Sequence, residues 1–174
     1  MVCASDRDGY NVKLGNFSFA NVEKQPDCLV TLCGTPEYVA AEITKGNSYS
    51  CKVDLWSFGV MVYALLSGTF PFCGNSTHEL YKVITKGDYD FPHEHDWDNG
   101  SIGSAAKDFL KQLLVVNPKC RMGAKEAFKH KWIRCNESSL SKINPQSSVN
   151  RLKKYEPVGN KVSFFHIFQF LTCL

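Results

Sequence analysis

The stretch from Ser48 to Gly68, SYSCKVDLWSFGVMVYALLSG, is the feature that most restricts how this chain can fold. Its apolar side chains fall on nearly every face of a helix, and Gly68 is placed to end that helix as a C′ glycine. Such a helix needs cover on all sides, because each large apolar side chain left in water forgoes about 1.5–3 kcal/mol. The sequence therefore predicts a mainly α fold built around this segment.

Three further segments have helical periodicity and flank the central one on its C-terminal side. They run from Ser76 to Lys86, from Ser104 to Val116 and from Ala124 to His130. A short basic helix is also predicted within SSVNRLKKYEP, residues 147–157. The segment from Phe19 to Val39 has neither a helical nor a strand period, so it is predicted to be irregular.

The first residues, VCASDRDGYNVKL, predict two short strands joined by a tight turn at Asp8-Gly9. A Ca²⁺ loop built from Asp6, Asp8 and Asn11 is the competing interpretation. Gly9 is in the wrong place for such a loop, and no Glu occupies its twelfth position. The hairpin is therefore favoured.

Four stretches, in this order, resemble the second half of a eukaryotic Ser/Thr protein kinase domain. VKLGNFSFA (12–20) is similar to the strand and D-F-G turn, and GTPEYVAAE (34–42) to the substrate-side loop that ends in A-P-E. The stretch 53–72 resembles the central helix of the large lobe, and 106–133 resembles the last two helices. The resemblance implies a partial kinase-like fold, a C-terminal lobe over 1–133 that starts at the hairpin before the D-F-G turn and lacks the N-terminal lobe.

The subgroup is suggested by TLCGTPEYVAAE, by the layout DFPHEHDWDNGS followed by AKDFL, and by the tail SSLSKINPQSSVNRLKKY. These stretches look most like the calcium/calmodulin-dependent and calcium-dependent protein kinases. The tail over 134–174 is basic and apolar, and it is interpreted as regulatory or disordered. Within it, Arg151, Leu152, Lys153 and Lys154 suit a calmodulin-like partner.

The family's chemistry uses ATP and Mg²⁺, held by a Gly-rich loop, a strand lysine, an H-R-D loop and the D-F-G carboxylate. None of the first three motifs occurs in the 174 residues. In the D-F-G-equivalent turn, Asn16 replaces the metal-binding Asp, Phe17 is kept and Ser18 replaces Gly. Asn16 is read either as a polar turn residue or as a degenerate Mg²⁺ position. No cofactor is expected for this chain alone.

The resemblance also assigns positions in the activation segment and substrate loop. Thr31 matches an activation-loop phosphorylation site, but the H-R-D arginine that would pair with its phosphate is missing, so an exposed threonine with no role is the competing interpretation. Thr35 matches the threonine that contacts the catalytic Asp. Gly34 and Glu37 belong to the same loop, and Glu37 is expected at a surface for substrates or regulators.

Other matched positions have structural roles in the family. Glu42 and Arg121 resemble the buried ion pair that ties the substrate loop to the last helices. Asp54 and Trp56 resemble the start of the central helix, where Asp54 would hold a catalytic loop that these residues do not include. We expect Glu42, Trp56 and Arg121 to support the fold, and Asp54 to be left without its usual partner.

Metal and membrane sites are not expected. The cluster His93, Glu94, His95, Asp96 and Asp98 has metal-ligand residue types, but a polar loop of this kind is usually solvated. The apolar run FFHIFQFLTCL has about eleven residues, against about 20 for a spanning helix. Eight scattered cysteines and no signal-peptide pattern predict reduced thiols in a cytoplasmic or nuclear protein. No nucleic-acid partner is expected.

Two functional hypotheses follow. In the first, the chain is a large-lobe fragment of a Ser/Thr protein kinase that acts on protein substrates and is inactive on its own. In the second, it is a non-catalytic, pseudokinase-like module that binds substrates or a calmodulin-like regulator.

Overall fold

The computed structural model describes residues 2–6, 9–13, 17–92, 97 and 103–134. The chain divides into two compact units. The described part of the first ends at Val22, and the second begins at Glu23. No sequence signal marks this boundary, because the surrounding segment is polar and has no period. The two units are described separately.

The first unit contains an antiparallel hairpin, as the sequence predicts. Strand β1 (Val2–Asp6) pairs with β2 (Gly9–Lys13), and the register sets Asp6 opposite Gly9. Gly9 therefore begins β2, whereas the sequence placed it in the turn. A 3₁₀ helix at Phe17–Phe19 follows, closed by a hydrogen bond from the Ala20 N–H to the Phe17 carbonyl.

The second unit is helical, which confirms the predicted fold class. Its helices are α1 (Ala41–Thr44), α2 (Lys52–Ser67), α3 (Thr77–Lys86), α4 (Ser104–Leu113) and α5 (Ala124–Lys129), preceded by a 3₁₀ helix at Pro36–Tyr38. Helix α2 packs against α4 and the 3₁₀ helix, and α1 packs against α3. None of the described helices combines the length and hydropathy that crossing a bilayer requires.

The helix ends follow local sequence chemistry. Ser76 caps α3 by accepting a hydrogen bond from the Glu79 N–H, and Gly68 and Gly87 end α2 and α3 in the left-handed region. Two helix boundaries differ from prediction by more than one residue, since α2 begins at Lys52 and α4 ends at Leu113. Beyond α4, Pro118 disfavours helical backbone at the residue before it.

The core surrounds α2. Its largest fully buried apolar side chains are Trp56, Tyr63, Phe72, Trp97, Phe109, Leu80, Ile84, Leu110 and Leu113. Most of α2 is covered as expected, and its exposed positions fall on one stripe at helical spacing. On that stripe Asp54 and Phe58 are exposed, and Met61 and Leu65 are half-buried. Helix α2 is therefore buried over most of its surface and open along one side.

Candidate functional site

A buried ion pair joins Glu42 on α1 to Arg121 on the segment before α5. The guanidinium binds the carboxylate through two bonds, Nη1 to Oε1 at 2.8 Å and Nη2 to Oε2 at 2.7 Å. Only 1% of Arg121 and 4% of Glu42 is accessible. A bidentate arginine–carboxylate contact of this kind fixes geometry as well as charge.

The remaining donors of Arg121 bind backbone carbonyls. Its Nε donates to the Val115 carbonyl at 3.0 Å, and Nη1 also donates to the Lys52 carbonyl at 2.9 Å. In return, the Lys52 Nζ donates to the Arg121 carbonyl at 2.6 Å. One side chain thus links α1, the start of α2 and the segment after α4. Sequence reasoning identified the ion pair, but it missed Lys52 and Val115 because backbone acceptors leave no residue-type signal.

Trp56 covers this ion pair from the core side. The Arg121 guanidinium carbon lies 5.0 Å from the centre of the indole ring, within the range of a cation–π contact. The other side of the indole stacks on Phe72, with ring centres 5.3 Å apart. Among the described residues the Trp56 Nε1 has no acceptor. The indole therefore acts here through its ring, which excludes water from the charges.

The 3₁₀ helix at Pro36–Tyr38 connects the substrate loop to α2. The Ser57 Oγ donates to the Tyr38 carbonyl at 2.8 Å, and the Tyr38 ring meets Phe70 edge-on at 5.6 Å. Pro36 sets the first residue of this turn in a helical φ. The sequence predicted an irregular segment here and missed the turn, because three residues are too few to show a period.

The other assigned loop residues lie around that turn. Gly34 has a φ of 114°, which side chains rarely adopt, and Thr35 precedes the 3₁₀ helix. Glu37, expected at a surface, is instead buried with 2% of its area accessible. Burial raises the pKa of the Tyr81 hydroxyl, and the charge of Glu37 raises it further. The two side chains therefore interact electrostatically inside the lobe.

The upstream half of the loop is held by fewer contacts. Leu29 and Tyr49 form an isolated antiparallel bridge, and the Tyr49 hydroxyl donates to the Thr31 carbonyl at 2.7 Å. Burial raises the pKa of that hydroxyl. Thr31 is exposed, and its neighbours Val30 and Leu32 are 75% and 63% exposed. The loop at Thr31 thus presents apolar side chains to solvent.

Glu23 attaches the start of this loop to α2. Its Oε2 accepts a hydrogen bond from the Cys51 N–H at 2.9 Å, and Oε1 accepts from the Asp27 N–H at 3.2 Å. The bond from the Cys51 N–H lowers the pKa of the carboxyl. Both bonds are exposed.

Asp54 lies at the start of the open stripe of α2. Although the residue is exposed, the neighbouring chain removes enough water to raise the pKa of its carboxyl above the ordinary value. Asp54 precedes Trp56 by two residues, but it is not among the hydrogen-bond partners of Arg121.

Several predicted positions fall outside the described residues. They are Asn16, the cluster at 93–96 and 98, and the tail residues Arg151, Leu152, Lys153 and Lys154. Phe17 and Ser18 lie in the 3₁₀ helix of the first unit. Within the described residues no group of His, Cys, Asp and Glu is arranged to hold a metal ion. Cys28, Cys33, Cys51, Cys73 and Cys120 are free thiols.

An open pocket of about 410 Å³ adjoins the ion pair. Its walls come from Asp27, from α1 and the residues after it, and from the segment 116–118. Six of its eight lining residues are polar or charged, including the carboxylates Asp27 and Glu42 and the lysine Lys45. A nucleotide site would offer backbone donors from a Gly-rich loop, which this pocket lacks.

The buried pair, the stacked tryptophan and the loop anchored between them can be compared with known proteins. The model of the protein kinase domain matches residues 2–133. The chain belongs to the protein kinase family. The matched range includes the hairpin of the first unit and the described helices α1 to α5 of the second.

Curated relatives are Ser/Thr kinases. The serine/threonine-protein kinase H1 homolog of Pinctada fucata is 39% identical over 141 residues, which cover 80% of this chain and 33% of the relative. A probable myosin light chain kinase of Dictyostelium discoideum is 38% identical over 156 residues, covering 89% and 39%. The human serine/threonine-protein kinase H1 is 40% identical over 143 residues, covering 80% and 33%. The chain thus spans between a third and two fifths of the length of these relatives.

Proposed function

We propose that this chain is the large-lobe part of a Ser/Thr protein kinase of the calcium/calmodulin-regulated group, and that these 174 residues do not transfer phosphate unaided. The observation that carries the proposal is the buried Glu42–Arg121 pair, which fixes the end of the substrate loop onto α2. The relatives' names as Ser/Thr kinases support a protein substrate. Two relatives named as myosin light chain kinases support the subgroup.

Catalysis in this family needs ATP and Mg²⁺, and the residues present fit neither. The 174 residues contain no Gly-rich loop, strand lysine or H-R-D motif to cradle the phosphates. Asn16 offers a neutral amide oxygen where Mg²⁺ prefers a carboxylate. The role left to this lobe is to bind and orient the protein substrate.

The test is a nucleotide-binding and phosphate-transfer assay on the purified 174-residue chain. With Mg²⁺, labelled ATP and a basic Ser-containing peptide we expect neither stoichiometric binding nor transfer, while an intact kinase of the same group gives both. Asn16→Asp should stay inactive, because one carboxylate does not replace the missing cradle. Magnesium-dependent transfer by the wild-type chain would refute the proposal.

A non-catalytic interaction module is the second candidate, favoured by the exposed Val30 and Leu32 beside Thr31. Such a module would bind substrates or regulators, including a calmodulin-like protein through Arg151, Leu152, Lys153 and Lys154, in the cytoplasm or nucleus. A calmodulin pull-down of the full chain with and without Ca²⁺ tests this role. Capture should require Ca²⁺ and be lost when Arg151, Lys153 and Lys154 are replaced by Gln.

A further inference from the structure

Helix α5 has one buried face and one basic, aromatic face. Ala127 is buried in a cluster with Phe109, Leu113 and Met122. Lys125, Phe128 and Lys129 stand at i, i+3 and i+4, so they share the opposite face. Phe128 is 78% exposed, the highest fraction among the large apolar residues that the structure describes. We call Lys125, Phe128 and Lys129 the α5 face.

The rotation of α5 is fixed at its N-terminal end. The Glu126 Oε2 accepts a hydrogen bond from the Gly123 N–H at 2.7 Å, and the Ala127 N–H donates to the Gly123 carbonyl at 2.9 Å. These bonds hold the first turn of α5 together on its N-cap residue, Gly123. Because Ala127 on that turn is buried in the core cluster, Phe128 is held on the outer face.

The C-terminal end of α5 is fixed by His130. Its Nε2 lies 3.2 Å from the Asp108 Oδ2, and its Nδ1 accepts a hydrogen bond from the Trp132 N–H at 3.2 Å. The ring also packs on Phe109, with ring centres 5.0 Å apart. With both ends clamped to the lobe, the α5 face is a preformed surface.

The charge around the α5 face is strongly positive. Residues 119–134 contain six Lys or Arg and one Glu, whereas residues 1–118 contain nine Lys or Arg against 14 Asp or Glu. Arg121 is neutralised by Glu42, and Lys131 shares Asp108 with His130. Lys125 and Lys129 make no ion pair within the described part of the chain. Their charge is therefore available to a partner.

We propose that the α5 face binds an acidic segment of a partner protein. An apolar side chain of that segment would cover Phe128, and its carboxylates would meet Lys125 and Lys129. Residues 135–174 do not suit this role, because they carry five Lys or Arg against two Glu. A second copy docked symmetrically would set lysines against lysines. The proposal is independent of the kinase function proposed above, since it uses none of the substrate-loop residues.

A protein segment fits this face better than a lipid surface. Helix α5 has six residues, and Phe128 is the single large apolar side chain on its outer face. Interfacial helices insert a long apolar face into the headgroup region, which this helix does not offer. A short acidic peptide with one or two apolar anchors needs no more than the surface present.

Fluorescence anisotropy with the full chain tests the proposal. The probe is a labelled peptide that carries four Glu and two Leu at i, i+4 spacing, and the control peptide has every Glu replaced by Gln. We expect the acidic probe to bind and the control probe not to bind. Raising salt from about 50 to about 200 mM should weaken binding, because the charges are exposed.

Variants then locate the site. Lys125→Gln with Lys129→Gln should weaken binding roughly tenfold, and Phe128→Ser should do so to a similar extent. The matched control is Lys82→Gln with Lys86→Gln, an exposed i, i+4 pair on α3, which should leave binding within about twofold. Circular dichroism checks that each variant is folded, as expected for exposed positions.

Three results would overturn the proposal. They are the absence of any binding of the acidic probe, an equal loss in the α3 control, and binding to phosphatidylserine vesicles that exceeds binding to the peptide. The last result would assign the face to an anionic lipid surface instead.

Discussion

The loop from Glu23 to Glu42, which includes the stretch 34–42, is held by different kinds of contact in its two halves. From Pro36 to Glu42 the loop is mostly buried, and its end is fixed by the fork of Arg121 against the ring of Trp56. From Glu23 to Leu32 it is mostly exposed, and it is attached to the lobe by the Leu29–Tyr49 bridge, by the bond from the Tyr49 hydroxyl and by the bond to Glu23.

Within one loop, this difference separates a buried, packed half from an exposed half with fewer contacts. Removing one partner of a buried ion pair leaves an uncompensated charge in the interior, which is strongly destabilising. The downstream half should therefore tolerate substitution of Glu42 or Arg121 poorly. Hydrogen bonds that are exposed or only part-buried compete with water, so the upstream half opens at lower cost. Five substitutions, with their controls, test whether the two halves differ as much as their contacts indicate.

The largest effect is expected for Arg121→Ala, in the downstream half. Removing the guanidinium leaves the Glu42 carboxylate buried without its cation and frees the carbonyls of Val115 and Lys52. We expect a loss of about 3–5 kcal/mol in the free energy of unfolding. Urea denaturation followed by tryptophan fluorescence measures it.

Two controls bracket that change. Lys119→Ala, at an exposed neighbouring position, should alter stability by less than about 0.5 kcal/mol. Arg121→Lys keeps the charge but loses the planar fork, so it should lie between the alanine variant and wild type. A loss no greater for Arg121→Ala than for Lys119→Ala would show that the downstream half is not anchored by this pair.

A smaller effect is expected for Tyr49→Phe, in the upstream half. The change removes the hydroxyl that donates to the Thr31 carbonyl and keeps the buried ring. We expect about 0.5–1.5 kcal/mol of destabilisation and faster proteolysis between residues 28 and 34. Unchanged proteolysis in this segment would mean that the hydroxyl does not hold the loop.

Glu23→Gln should have a smaller effect still, and one that depends on pH. The bond from the Cys51 N–H lowers the pKa of Glu23 below its ordinary value of 4.5, so the folded state favours the ionised form. The stabilisation is present above the ordinary pKa and is lost as the pH falls through the lowered one. The difference between variant and wild type should therefore shrink in acid, which melting curves at pH 7 and pH 3 can check.

The smallest effect on stability is expected for Val30→Ser and Leu32→Ser. Both side chains are exposed, so each change should stay within about 0.5 kcal/mol of wild type in urea denaturation. Binding of a hydrophobic dye should fall, because apolar surface is removed. A loss as large as that of Tyr49→Phe would show that this half is packed more tightly than its exposure indicates.

Sequence reasoning predicted the helices better than the contacts between them. The segment around Trp56 and Tyr63 was predicted as a central helix because its apolar side chains are spread over nearly every face of the helix. The boundaries shifted by a few residues, as at Lys52, because helix ends depend on neighbours that periodicity does not describe. The 3₁₀ helix at Pro36–Tyr38 left no periodic signal at all.

The candidate site was accessible to sequence reasoning only through resemblance. Glu42 and Arg121 are 79 residues apart, and no local rule pairs residues at that distance. Val115 and Lys52 contribute carbonyl acceptors, which any residue type can supply, and the bond from the Lys52 Nζ also ends on a backbone carbonyl. The burial of Glu37 was opposite to the expected surface position, because the turn directs its side chain into the lobe.

By itself the sequence determined the mainly helical class, the buried character of α2, the glycine-terminated ends of α2 and α3, and membership of the protein kinase family. These depend on local periodicity, on backbone preferences and on the order of motifs, all of which can be read from the sequence. Only the tertiary structure decided that Arg121 joins three segments, that one stripe of α2 stays open and that Phe128 points outward. Each of these depends on how segments that are distant in sequence pack against one another. That packing also excludes water from the Glu42–Arg121 pair, which strengthens the interaction between the two charges.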